Sequence, residues 1–245
     1  MKKESYIGKI LVACEYSGIV RDAFSKAGWD AWSCDILPTE SELTKSENKH
    51  IQGDVLNVLN DGWDLMIAHP PCTYISYAAT HIWNEKGRVF KRLDSLYFFA
   101  KLWETDIPHI CIENPRSCAS PVIAKYSQEI QPYYFGECEM KTTWIWLKNL
   151  PLLKYSMTDS IFEKITATNN PQPKQVQIRK NTGKAKNRYF CDSLYDNKIN
   201  TGHRRSKFWN GIANAMAEQW TEYYLTHKLQ NYERKTVTAR KFRTS

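Results

Sequence analysis

The chain has 245 residues, of which 42% are hydrophobic and 24% charged, and its formal net charge is +8. This composition is that of a folded protein long enough to bury one compact core, and it excludes a largely disordered chain. The positive charge favours a polyanionic partner such as nucleic acid, but charge alone is equally compatible with a basic protein that binds none.

Cysteine usage and the lack of long apolar segments indicate a cytoplasmic protein. The seven cysteines are odd in number and form neither a CxxC pair nor a Cys/His cluster with zinc spacing. We therefore expect free thiols in a reducing compartment and no metal site. Met1–Lys9 is polar, and no stretch is apolar enough for a membrane span, so we expect no signal segment or membrane anchor.

In the first half of the chain, short apolar runs alternate with helical patterns. This alternation predicts an α/β fold of the Rossmann-like type, with a parallel sheet covered by helices. Helices are predicted through Val20–Phe24 and around Val89–Trp103. The predicted strands are Lys9–Ala13, Ala31–Cys34, His50–Gln52, Leu65–Ala68 and His109–Ile112.

Polar residues follow the ends of these strands. They are Glu15, Asp35, Asp54, Cys72 and Glu113. In open α/β sheets, ligands bind beyond the carboxyl ends of the strands. Each residue alone could be a helix cap or a turn residue, but the joint pattern favours a functional site at this edge.

Residues 154–205 are polar and basic, with Tyr189 and Phe190 beside the lysines and arginines. Basic residues interleaved with aromatics predict a loop-rich nucleic-acid contact surface, and the alternative is a solvated insertion. The candidate phosphate contacts are Lys174, Arg179, Lys180, Lys184, Lys186, Arg188, Arg204 and Arg205.

A strong helical pattern returns at Ser206. Phe208, Ile212, Met216 and Trp220 recur every four residues, which predicts one apolar stripe packed into the core rather than a ligand site. We therefore expect a catalytic domain formed by residues 1–153 and 206–227. Residues 154–205 would form a small target-recognition region, and residues 228–245 a basic, disordered tail.

Several segments resemble the motifs of one enzyme family, in the family's order. WDLMIAHPPCTYIS resembles the Pro-Pro-Cys motif of cytosine carbon-5 DNA methyltransferases, and IENP resembles their Glu-Asn motif. VACEYSG, GDV and GIANAMAEQW resemble the cofactor loop, the third motif and the last motif. The resemblance covers most of the chain outside the basic region and tail, and it is closest to short members from phages and prophages.

This resemblance implies a Rossmann-like methyltransferase fold and S-adenosylmethionine as the cofactor. The implied reaction methylates carbon 5 of a cytosine flipped out of double-stranded DNA. Its setting would be the cytoplasm of a bacterium or a phage-infected host cell, with no need for a metal or a membrane.

The resemblance assigns Cys72 as the nucleophile and Glu113 as the acid. Thiolate addition to carbon 6 makes carbon 5 reactive, and cysteine is the most nucleophilic side chain near neutral pH. We expect the site to favour the Cys72 thiolate, with Pro70 and Pro71 stiffening the loop. Glu113 would protonate ring nitrogen 3, for which we expect burial to raise its pKa. Asn114 would hold the loop.

The cofactor assignments follow the same resemblance. Asp35 would accept from the ribose hydroxyls and Asp54 from the adenine amino group. The turn formed by Glu15, Tyr16, Ser17 and Gly18 would approach the methionine part, with Gly18 permitting close backbone contact, and Pro70 would also line the pocket. The family's Gln-x-Arg-x-Arg motif has no clear counterpart; FGECEMKTTWIWL occupies its place and offers Lys141 as a further nucleic-acid contact.

The sequence is also compatible with other functions. Exocyclic-amine methyltransferases carry an Asn- or Asp-Pro-Pro-aromatic motif, whereas this chain has His69 and Cys72 at the corresponding positions. A non-catalytic relative that binds DNA or cofactor, a cytosine modification with another electrophile, and an RNA substrate are further alternatives.

Overall fold

The computed structural model describes residues 6–137, 140–155, 177–178, 185–186 and 207–241, and the side chains of 6–137, 140–155 and 207–230. Its centre is a seven-stranded sheet. The strands are β1 (Lys9–Ala13), β2 (Asp30–Asp35), β3 (His50–Gln52), β4 (Leu65–Ala68), β5 (His109–Pro115), β6 (Gln128–Ile130) and β7 (Thr143–Lys148). The helices are α1 (Ile19–Lys26), α2 (Glu42–Glu47), α3 (Arg88–Trp103), α4 (Ala119–Val122) and α5 (Asn210–Lys241).

The strand order defines the fold. It is β3-β2-β1-β4-β5-β7-β6, with β1 to β5 parallel and β7 antiparallel to both β5 and β6. The chain runs outward from β1 on one side and from β4 on the other, so the order reverses between these two strands. This arrangement confirms the predicted Rossmann-like α/β class, in which ligands bind at the reversal point.

Helices cover both faces of the sheet because its central strands are apolar on both sides. On one face, α1 and α5 pack against alternate residues of β1 and β4, with Trp29 and Trp220 almost fully buried. On the other face, Phe99 and Leu102 of α3 pack with Trp146 of β7. The predicted apolar stripe is confirmed as core packing, since Ile212, Met216 and Trp220 of α5, and Phe208 two residues before it, all belong to the core on the α1 and α5 face.

The last helix differs in extent from the prediction. It begins at Asn210 rather than at Ser206, and it continues to Lys241. Residues 228–241, which the sequence places in the predicted tail, are helical in the structure. Within the described part of the chain, no helix is both long and apolar enough to cross a membrane.

Candidate active site

A cavity of about 540 Å³ opens at the carboxyl ends of the strands, beside the reversal point between β1 and β4. Its size is in the range of small-molecule sites. Among its lining residues are Tyr16, Asp35, Asp54, Pro70, Cys72, Glu113 and Lys141. Residues that are distant in sequence thus meet because parallel strands end at the same edge of the sheet.

The loop after β4 holds Cys72 at the cavity. The backbone N–H groups of Ile75 and Ser76 donate to the Cys72 carbonyl at 3.2 and 2.9 Å, which closes a turn directly after the cysteine. The Asn114 side chain donates to the Pro70 carbonyl at 2.8 Å. This is the loop-holding contact expected of Asn114, and it ties the end of β5 to the Pro-Pro-Cys segment.

Cys72 is a partly buried free thiol. Burial raises the pKa of this thiol, Lys141 opposes the rise, and the carboxylate of Glu113 adds to it. The expectation that the site favours the thiolate is therefore not met by this arrangement, in which burial outweighs the charge of Lys141. Because the pKa of Cys72 is raised, the thiolate is the minority form at neutral pH, and the Lys141 charge and a backbone hydrogen bond at Cys72 act in the opposite direction.

Glu113 is paired with a histidine that precedes the Pro-Pro-Cys loop. Nδ1 of His69 lies 3.1 Å from Oε2 of Glu113, and Oε1 of Glu113 is buried without a hydrogen-bond partner among the described residues. Burial raises the pKa of Glu113, but the His69 hydrogen bond and the Lys141 charge outweigh it, so the pKa is lowered. The expected raised pKa is thus wrong, because two partners stabilise the carboxylate.

Lys141 acts electrostatically on both Cys72 and Glu113. It lies just before β7, is half-buried, and its Nζ sits 4.6 Å from the centroid of the Trp209 ring. Its charge lowers the pKa of both Cys72 and Glu113. Lys141 therefore belongs to the cavity, where it can stabilise negative charge on the thiol or on a bound ligand.

Removal of this charge is expected to make Cys72 less reactive. In Lys141→Met the pKa of Cys72 should rise further, so alkylation by iodoacetamide at a fixed pH should slow by about tenfold for each unit of that rise. Mass spectrometry of the Cys72 peptide over a pH series measures the rate. Lys125→Met, at an exposed lysine outside the cavity lining, is the control; equal profiles for both variants and the wild type would contradict this role.

Two aspartates line the other part of the cavity. Oδ1 of Asp35 accepts from the Leu37 N–H at 2.9 Å, and Oδ1 of Asp54 accepts from the Leu56 N–H at 3.0 Å. Each carboxylate therefore stabilises a turn, which is the structural role that the sequence also allowed for it. Each one also lines the cavity. Acceptor-only groups so placed fit a ligand that offers hydroxyl or amino donors.

The turn after β1 has a different role from the expected one. Of its four residues only Tyr16 is among the cavity-lining residues. The Glu15 carboxylate accepts the Val20 and Arg21 N–H groups at 2.8 and 3.1 Å, and so caps α1. Ser17 donates to Glu15, and Gly18, with φ of 75°, lies against Ser41, the N-cap residue of α2. Gly18 permits this turn and close packing with α2 rather than a contact in the cavity.

The predicted nucleic-acid contacts are mostly not placed by the structure. Lys186 lies on β9 (Ala185–Lys186), which pairs in an antiparallel manner with β8 (Gln177–Ile178). Lys174, Arg179, Lys180, Lys184, Arg188, Arg204 and Arg205 lie outside the described residues. Among the residues that are described, no three His, Cys, Asp or Glu side chains could together hold a metal ion.

Sequence reasoning missed two residues at this site. Cys14 lines the cavity with a positive φ of 58°, a backbone conformation that non-glycine residues rarely adopt and that is often found at functional sites. His69 was noted only as a departure from another family's motif. Its position directly before Pro-Pro-Cys was the available signal, but its partner Glu113 is 44 residues away in the chain.

No protein-family model matches the chain, and no curated protein matches it. Similar solved structures include the Dnmt2 methyltransferase of S. pombe, at 19% identity and a TM-score of 0.43, with 61% of this chain and 53% of that chain covered. Another is the methyltransferase EhMeth of Entamoeba histolytica, at 16% identity and a TM-score of 0.40, with coverage of 64% and 57%. The chain thus spans little more than half the length of these two proteins, and similarity at this level supports no functional argument.

Proposed function

We propose that the chain transfers the methyl group of S-adenosylmethionine to carbon 5 of a cytosine in DNA, with Cys72 as the nucleophile. The observation that supports this most is the meeting of Cys72, Glu113, Asp35 and Asp54 around one cavity, although they come from four separate strand ends. The motif resemblance supports the same assignment.

The donor set fits the cofactor. Asp35 and Asp54 offer carboxylate oxygens to hydroxyl and amino groups, and Tyr16 adds an aromatic wall. S-adenosylmethionine supplies the methyl group when bound. Glu15, Ser17 and Gly18 do not line the cavity; they stabilise the turn that places Tyr16 and Cys14 in its lining.

The chain's own residues account for the activation of the cytosine. The Cys72 thiolate forms a bond to carbon 6, and the displaced ring electrons are balanced by a proton that Glu113 delivers to nitrogen 3. After carbon 5 has taken the methyl group, its hydrogen is lost as a proton to solvent water and nitrogen 3 returns its proton to the Glu113 carboxylate. The bond from carbon 6 to Sγ breaks in the same step, and its electron pair leaves as the Cys72 thiolate. Lys141 stabilises the thiolate before addition, and His69 orients the Glu113 carboxyl group.

The position of Cys72 inside the cavity bears on how the base arrives. A cytosine stacked in a duplex keeps its carbon 6 within the helix, so the base must leave the stack to reach the thiol. The few kcal/mol needed for unstacking (about 2–4) would be offset by contacts to the base in the cavity and by phosphate contacts outside it.

The reaction product tests this proposal. Wild-type protein is incubated with methyl-labelled S-adenosylmethionine and either mixed-sequence duplex DNA or RNA, and the nucleosides are resolved by mass spectrometry. Label in 5-methylcytosine from DNA is the expected result. Label on an exocyclic amine would overturn the mechanism, label only in RNA would change the substrate, and cofactor binding without label in either would indicate a non-catalytic relative.

A further inference from the structure

Helix α3 carries a stripe of large apolar side chains on its exposed side. Val89, Phe90, Leu93 and Tyr97 have exposed fractions of 46%, 73%, 57% and 65%. At 3.6 residues per turn, these four positions fall within about 100° of the helix circumference, so they form one continuous surface. We call this surface the α3 stripe. The other side of the helix packs into the core, where Phe99 is fully buried.

The size of the α3 stripe marks it as a binding surface. Its four side chains together expose roughly 400–500 Å². Contiguous apolar patches of this size on soluble proteins are commonly interaction sites, because leaving them in water is unfavourable. The stripe is separate from the cavity. Phe98 is the α3 residue in the cavity lining, and its position on the helix lies outside the sector of the stripe.

The order of side chains along the α3 stripe makes it complementary to itself. Phe90 lies three residues before Leu93, and Tyr97 lies four residues after it. In an antiparallel helix pair with a two-fold axis beside Leu93, the two Leu93 side chains meet and Phe90 packs against Tyr97 of the second copy. Aromatic pairs of this kind add to the free energy gained by burial. One surface thus supplies both halves of a two-fold contact.

The charges at the two ends of α3 favour the same antiparallel arrangement. Residues 85–91 carry three cations and one carboxylate, a net charge of +2, whereas residues 101–106 carry one cation and two carboxylates, a net charge of −1. An antiparallel pair places the basic beginning of each helix beside the acidic end of the other. A parallel pair would place like charges together, so the charges fix the direction of the pairing.

We propose that the α3 stripe binds the α3 stripe of a second copy of this chain and forms a two-fold symmetric dimer. The two stripes and the charged side chains beside them bury about 1,000–1,200 Å², which is at the lower end for specific interfaces. The dimer is therefore weak, with a dissociation constant in the micromolar range. Because the cavity lies outside this interface, each copy keeps its own site. The proposed function is not needed for this inference.

Charge substitutions at Leu93 test the dimer and its symmetry. Sedimentation velocity of the full chain is measured from roughly 1 to 100 μM, over which the wild type should pass from monomer to dimer. Leu93→Arg and Leu93→Asp should each stay monomeric, because the two-fold axis sets like charges against each other. A mixture of these two variants should associate again, because opposite charges then meet. Leu229→Arg, at a leucine of α5 that is 64% exposed, is the control and should associate as the wild type does.

Several outcomes would overturn this inference. A wild type that is monomeric at every concentration would show that the stripe does not bind a second copy. Association of both Leu93 variants at the level of the wild type would place the dimer contact on another surface. Two monomeric variants that stay monomeric when mixed would show that Leu93 does not meet its own copy. Association is measured without cofactor or nucleic acid, so its result and that of the methylation assay are independent.

Discussion

Replacement of Cys72 by alanine is expected to lower methyl transfer by at least about a thousandfold, while cofactor binding persists. Carbon 5 of cytosine reacts only after a nucleophile adds at carbon 6, which is the role proposed for Cys72. Cys14 and Cys34 also line the cavity, but burial raises the pKa of both thiols and keeps them protonated. The Cys72 side chain is only partly buried and contributes little to the core, so the variant should fold. Label transfer to DNA and calorimetric titration with S-adenosylmethionine measure the two properties.

Cys118→Ala is the matched control for loss of a thiol. Cys118 is buried in the core on the α3 side of the sheet and is not a cavity-lining residue, so this variant should keep the activity of the wild type with at most a modest loss of stability. Methylation by Cys72→Ala at a rate near that of the wild type would contradict the covalent mechanism.

The second large effect is expected for Glu113→Gln, in which kcat should fall by about a hundredfold to ten-thousandfold. Glutamine keeps the shape of the side chain, but it cannot deliver a proton to nitrogen 3. The pH dependence should change as well. The proposed reaction needs the thiolate of Cys72, whose pKa is raised by burial, and the protonated form of Glu113, whose pKa is lowered because its partners outweigh burial.

The raised pKa of Cys72 and the lowered pKa of Glu113 together determine how kcat/KM depends on pH. Between about pH 7 and 8.5 the thiolate fraction rises tenfold per unit while the protonated fraction of Glu113 falls tenfold per unit, so kcat/KM of the wild type should be flat. In Glu113→Gln only the thiolate term remains, and kcat/KM should rise about tenfold per unit. Glu129→Gln, which removes a carboxylate paired with Arg116 outside the cavity lining, should keep the flat profile. A flat profile in Glu113→Gln would show that another group supplies the proton.

Much of the fold was predictable from local patterns. Apolar runs such as Leu65–Ala68 and Lys9–Ala13 match the observed strands residue for residue, because a buried parallel strand is a short apolar run bounded by polar turns. The candidate site was predictable in outline for the same reason. Residues that follow such runs lie at the carboxyl edge, where Asp35, Asp54, Cys72 and Glu113 meet.

The sequence by itself thus determined the fold class, the edge of the sheet that holds the cavity, and the four polar residues of its lining, Asp35, Asp54, Cys72 and Glu113. Only the tertiary structure decided their ionisation, because the pKa of Glu113 depends on His69 and Lys141, which reach it from β4 and β7. It also decided that Glu15 caps α1 instead of facing the cavity, and that α3 exposes the aromatic rings of Phe90 and Tyr97. Electrostatic and packing interactions act through space between distant segments, so a pattern read along the chain cannot contain them.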